Sequence, residues 1–134
     1  MRWLLDTNIA SLALRGDAAV LRRLIALPMR DVHVSAVTQA ELLYGVAKRG
    51  RPEKLAAAVR GFLQRAEPLP WTTDVAEVYA DLRATCEQRG TPLGALDMMI
   101  AAHAMALGRV TPTTLVTRDQ VFKRVPELAV QAWD

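Results

Sequence analysis

Apolar positions along this chain follow two rhythms. Short continuous or alternating blocks predict strands at residues 2–5 (RWLL), 31–35 (DVHVS), 114–117 (TLVT) and 128–132. A very short one is expected at 67–71, where two prolines place it at a sheet edge. Between these blocks apolar residues recur at helical spacing. Residues 8–14 form one such segment, ended by Gly16, and Asp17 opens another that runs to about Leu27, before Pro28. Ser35 and Thr38 are both available to cap a helix that continues through Lys48 and is closed by Gly50. Arg51-Pro52 restarts a helix extending to about Ala66. Asp74 and Glu77 have the spacing of a capping box and open a helix that ends at Gly90. Residues 94–108 are apolar on nearly every side, which predicts a helix in the middle of the molecule. Strands separated by helices, with no repeat or linker, predict one α/β domain over residues 1–134, with a mainly parallel sheet covered on both faces.

Composition adds limits. At 51% hydrophobic and 23% charged, the chain is globular rather than disordered. The lone Cys86 can form neither an internal disulfide nor a cysteine metal cluster and reads as a structural thiol in a reducing compartment. Asp6 interrupts the only apolar run near the start, and the longest later run, 98–107, is too short to span a bilayer. A cytoplasmic location without a membrane segment is the expectation.

Certain acids fall at telling places in this pattern. Asp6 follows the first strand directly, Asp119 lies two residues after TLVT, Asp97 sits in the first turn of the apolar helix, and Glu41 lies early in the helix after DVHVS. In open α/β sheets, ligands bind outside the carboxyl ends of the strands. Each acid also has a structural reading: Asp6 as a helix cap, Asp97 as a partner of the helix dipole, Glu41 as a solvated helix residue, Asp119 as a turn residue. Four carboxylates meeting at one edge would repel one another, and a divalent cation relieves that conflict. Oxygen-only ligands favour Mg²⁺ or Mn²⁺ over zinc.

The blocks LLDTNI, ELLYG, GTPLGALDMMIAAHAMALG and LVTRDQVFKRVP, in that order along nearly the whole chain, resemble the PIN-domain ribonucleases, and within them the VapC-type toxins of toxin–antitoxin pairs. The resemblance implies a Rossmann-like, five-stranded parallel sheet. It further implies an Mg²⁺- or Mn²⁺-dependent endoribonuclease acting on structured RNA such as tRNA or rRNA, and a homodimer inhibited by a small VapB-like antitoxin. Carried over by position, Asp6, Glu41 and Asp97 match the most regular acids of that pattern and Asp119 its more variable fourth. Thr7, Asn8 and Thr117 match the polar residues that orient them.

Charge agrees with a polyanionic substrate. Setting the four acids aside leaves 17 basic residues against 10 acidic ones, +7 outside the site. Lys48, Arg49 and Arg51, with Lys54, Arg60 and Arg65, cluster on the two middle helices, and Arg118, Lys123 and Arg124 lie beside Asp119. The first and last of these sets are the candidate RNA contacts, against the alternative that they are solvated helix faces. His33 and His103 have no Ser or Cys partner by motif, and His103 reads as a packed residue. A phosphatase of the Asp-x-Asp type would need an acid where Asn8 stands, and no glycine-rich phosphate loop is present. The remaining rival is a catalytically silent PIN-fold module that binds RNA or protein.

Overall fold

The computed structural model describes all 134 residues. Five parallel strands form one sheet: β1 (Arg2–Leu5), β2 (Val32–Ser35), β3 (Glu67–Leu69), β4 (Thr113–Val116) and β5 (Val130–Gln131), in the order β3-β2-β1-β4-β5. Six helices connect them: α1 (Thr7–Leu14), α2 (Ala18–Ala26), α3 (Ala36–Lys48), α4 (Glu53–Arg65), α5 (Thr73–Gln88) and α6 (Ala95–Gly108). Single 3₁₀ turns occupy Met29–Asp31 and Gln120–Arg124.

The first strand lies at the centre because it is apolar on both faces. Leu4 packs with α5 and α6 residues such as Leu82, Met98 and Ala101, whereas Leu5 packs with Ile9, Val20, Leu42 and Phe62 on the other side. The alternation repeats on β4, where Leu115 joins the first cluster and Val116 the second. The expected helix at 94–108 is central, with Met98, Ile100, Ala101, Ala102, His103 and Ala104 all buried. The edge strand at 67–71 is shorter than its apolar segment and pairs only with β2. No helix is long and apolar enough to cross a membrane.

Three local expectations are corrected. Helix α5 is capped by Thr72, whose side chain accepts from the Val75 amide, so Asp74 is a first-turn acid rather than the cap. Ser35 caps α3 alone; Thr38 lies inside the helix, fully buried. The last strand keeps only two residues of 128–132. Thr117 falls just beyond β4, at the end where β1 releases Asp6.

Order β3-β2-β1-β4-β5 means that the chain steps to one side of β1 first and to the other later. The crevice at such a reversal, between the carboxyl ends of β1 and β4, is where doubly wound sheets bind ligands. Asp6 enters it directly from β1 and donates its backbone N–H to the Val116 carbonyl of β4 at 3.1 Å.

Candidate functional site

Asp6 is 3% exposed, and its Oδ1 accepts the Ile9 amide at 2.8 Å, capping α1. The cap and the site acid are therefore one residue. Burial pushes the Asp6 carboxyl above the ordinary carboxylate range; the Thr117 hydroxyl and the Ile9 amide oppose that push, and the charges of Asp97 and Asp119 add to it. Asp97, in the first turn of α6, is raised by burial and then by the charges of Asp119 and Glu41. Asp6 and Asp97 thus both feel the charge of Asp119, and Asp97 also feels that of Glu41.

Asp6, Thr7, Asn8, Glu41 and Asp97, with Gly94, Ala95 and Leu96, line a cleft of about 380 Å³. Asp119 does not line it, although its charge reaches both Asp6 and Asp97. Its Oδ1 accepts the Val121 amide at 2.9 Å to cap the following 3₁₀ turn, and its own N–H donates to the Thr117 hydroxyl at 3.0 Å. Glu41 is held from α1: the Thr7 hydroxyl donates to Glu41 Oε1 at 2.8 Å, and Thr38 Oγ1 lies 3.0 Å from Thr7 Oγ1. From sequence alone Thr38 reads only as a cap. Its spacing of one helical turn before Glu41 was the available signal for a second role.

No group of three or more His, Cys, Asp or Glu side chains encloses a ready-made cation cage. The donor set nonetheless suits a hard divalent ion. It is oxygen-only, two of its acids carry the cost of burial and like charge, and the cleft is open. An ion of the Mg²⁺ type keeps several waters and takes only one or two protein carboxylates beside substrate phosphates.

The basic candidates divide. Lys48 and Arg49, at the end of α3, line a groove of about 440 Å³ that shares Thr7 and Glu41 with the acidic cleft. Arg15 lines the same groove, outside the basic clusters that the sequence pattern picks out. Lys48 Nζ sits 5.6 Å above the ring of the exposed Tyr44. Arg51 is exposed, in the α3–α4 turn with φ 56°, and Lys123 and Arg124 are exposed after Asp119. Arg118 is committed elsewhere: its guanidinium donates to both Asp17 carboxylate oxygens and to the Trp133 carbonyl. Arg65 is likewise bound to the Leu24 and Leu27 carbonyls. His103 is buried against Ser35, with Nδ1 2.8 Å from the Ser35 hydroxyl.

Residues 3–128 match the PIN domain family. Over 99% of its length the chain is 32% identical to the tRNA(fMet)-specific endonuclease VapC of Salmonella typhimurium, covering 98% of that protein. It is 33% identical to the ribonuclease VapC2 of Rickettsia felis, with 100% of this chain and 99% of that one covered. The structure superposes on a chain of Rickettsia felis VapBC2, solved bound to a DNA fragment from its promoter, with a TM-score of 0.90 over 100% of both chains and 33% identity. The expected five-stranded parallel sheet and the full-length relatives agree, and the chain belongs to the PIN-domain family, within its VapC ribonucleases.

Proposed function

We propose that this chain is an Mg²⁺- or Mn²⁺-dependent endoribonuclease that acts as the toxin of a toxin–antitoxin pair and cleaves structured RNA, a tRNA or rRNA. The observation that carries the reading is the convergence of Asp6, Glu41 and Asp97 on one cleft at the β1/β4 crevice, with Asp119 electrostatically coupled to Asp6 and Asp97. The Salmonella relative, named for a tRNA, supports the substrate class.

Asp6 and Asp97 are the residues placed to hold the ion, with Glu41 either a further ligand or the base that orients water, and Asp119 an outer or second-ion ligand. When bound, a divalent cation would activate water and offset charge on the phosphoryl oxygens. The chain supplies the rest. The Asp6 cap fixes that carboxylate to the start of α1, Thr7 fixes Glu41, and Asn8 lines the cleft mouth. Attack by water rather than by the substrate 2′-hydroxyl leaves a 5′-phosphate. Lys48, Arg49 and Arg51, and Lys123 and Arg124 after Asp119, would attract the RNA backbone toward the acids; Arg118, bound to Asp17 and Trp133, steadies the loop after β4 rather than leading the contact.

The groove between α1, α3 and α4 presents Leu14, Leu42, Val46, Leu55 and Val59 beside the acidic cleft. A small VapB-like antitoxin would seat an apolar segment there and extend a basic side chain to the carboxylates. A second copy of the chain completes the proposed homodimer.

The test is RNA cleavage by the purified protein with Mg²⁺ or Mn²⁺, followed by sequencing of 5′-phosphate ends. Cleavage that EDTA stops and Asp97→Ala abolishes supports the enzyme. RNA left intact by wild-type protein with either ion overturns it in favour of a silent module.

A further inference from the structure

Thr38 is fully buried on α3, and no solvent reaches its hydroxyl. Its hydroxyl lies 3.0 Å from Thr7 Oγ1, and Thr7 in turn donates to Glu41 Oε1 at 2.8 Å. A hydroxyl has one proton to give. Because Thr7 spends its proton on Glu41, it must accept at Thr38, and Thr38 must donate. We infer that Thr38 is a positioning residue for the acidic site, holding the Thr7 hydroxyl pointed at Glu41 through a one-way relay, Thr38 to Thr7 to Glu41.

Local structure explains how the relay is built. Thr38 and Glu41 are three residues apart on α3, so both face the same neighbour, the first turn of α1. Thr7 is the first residue of α1, immediately after Asp6. The relay thus ties the acid carried by α3 to the segment that carries Asp6. A bond to an ionised acceptor is stronger than a neutral one, and a donor behind it strengthens it further. Without Thr38 the Thr7 hydroxyl can turn its proton elsewhere, and Glu41 loses its fixed orientation.

The inference rests on the reading of Glu41 as part of the catalytic site, so wild-type cleavage is measured first and decides that reading alone. Given an active wild type, Thr38→Val, which keeps shape but removes the donor, is expected to lower kcat about tenfold with KM within about twofold, and Thr38→Ser to restore most of kcat. Equal kcat in Thr38→Val and wild type overturns the relay, as does a Ser variant no better than Val. A readout independent of activity is urea unfolding of the metal-free protein. The midpoint lost by Thr38→Val should shrink when Glu41 is already Ala, because the relay then has no end. Additive midpoints would mean that Thr38 is only a packed side chain.

Discussion

Arg118 and Asp17, far apart in the sequence, are joined by two hydrogen bonds of 3.2 and 3.4 Å, and the same guanidinium holds the carbonyl of Trp133. Asp17 also caps α2, accepting the Val20 amide at 3.1 Å. One arginine therefore links the start of α2, the loop after β4 and the end of the chain. Arg118→Ala should lower Tm by several degrees while changing RNA affinity less than Lys48→Ala does. The Val20 amide and then Arg118 hold the Asp17 carboxyl below its ordinary value. Such a group adds stability above its unfolded pKa of about 4 and loses it as pH falls through the folded value. The gap between wild type and Arg118→Ala should accordingly be wide at pH 7 and narrow below about pH 4, by thermal melts across pH.

Asp6 carries two duties that substitution can separate. Asparagine caps helices as well as aspartate, whereas alanine in place of a capping residue costs about 1 kcal/mol. Both Asp6→Asn and Asp6→Ala should abolish RNA cleavage, but only Asp6→Ala should also lose the stability of the α1 cap. An active Asp6→Asn protein would remove Asp6 from the proposed ligand set.

Asp97 is raised by burial first and by neighbouring acids second, so its ionised form is strained in the metal-free fold. For a carboxyl raised in this way the penalty is absent below the unfolded pKa, grows as pH rises from there to the folded one, and is fully present above it. Asp97→Asn should therefore unfold at higher urea than wild type at pH 7, and the advantage should vanish below about pH 4. Mn²⁺ should raise the wild-type midpoint by mass action and the Asn variant's much less. Cleavage should fall by more than the about 10–100-fold typical of residues outside the ligand set.

Histidine 103 is fully buried, and desolvation lowers its pKa from 6.5 to about 4. It contributes stability above pH about 6.5 that is lost progressively as pH falls toward 4, roughly 3 kcal/mol in all. Urea midpoints should drop across that window in wild type and stay flatter in His103→Leu. Acids raised at the site work in the opposite direction there, so the comparison between the two proteins isolates the histidine.

Lys48 and Arg49 border a groove continuous with the acids. If each meets a phosphate, Lys48→Ala and Arg49→Ala should each reduce the salt dependence of RNA binding by about 0.7 in log–log slope, the value for single strands. Affinity measured at several salt concentrations with a Mg²⁺-free, uncleaved RNA checks this.

What the sequence carried, and what it hid, divides along physical lines. The buried strands were legible because a central parallel strand is apolar without interruption, as Trp3-Leu4-Leu5 is. Asp6 and Asp119 are legible as neighbours because strand ends in such sheets share one edge, whereas Glu41 and Asp97 reach the same cleft from helices α3 and α6. Asp6 is both cap and site acid, since a carboxylate has two oxygens and only Oδ1 is spent on the Ile9 amide. The cap of α5 was misplaced because Thr72 and Asp74 both satisfy the local preference, and only the backbone direction selects Thr72. Arg118 looked available because its partners, Asp17 and Trp133, are distant in sequence and no local pattern announces them. The role of Thr38 was hidden for the same reason, since it is read only once α1 is laid against α3.

Strand β4, which stands beside β1, comes from near the far end of the sequence. The acids are spread over positions 6, 41, 97 and 119. A growing chain on the ribosome therefore holds Asp6 and Glu41 long before the strand that completes their crevice has been made. A chain halted before residue 113 lacks β4, Thr117 and Asp119. For a protein proposed to attack the RNA of translation, the crevice that gathers its acids is complete only when its own synthesis is nearly finished.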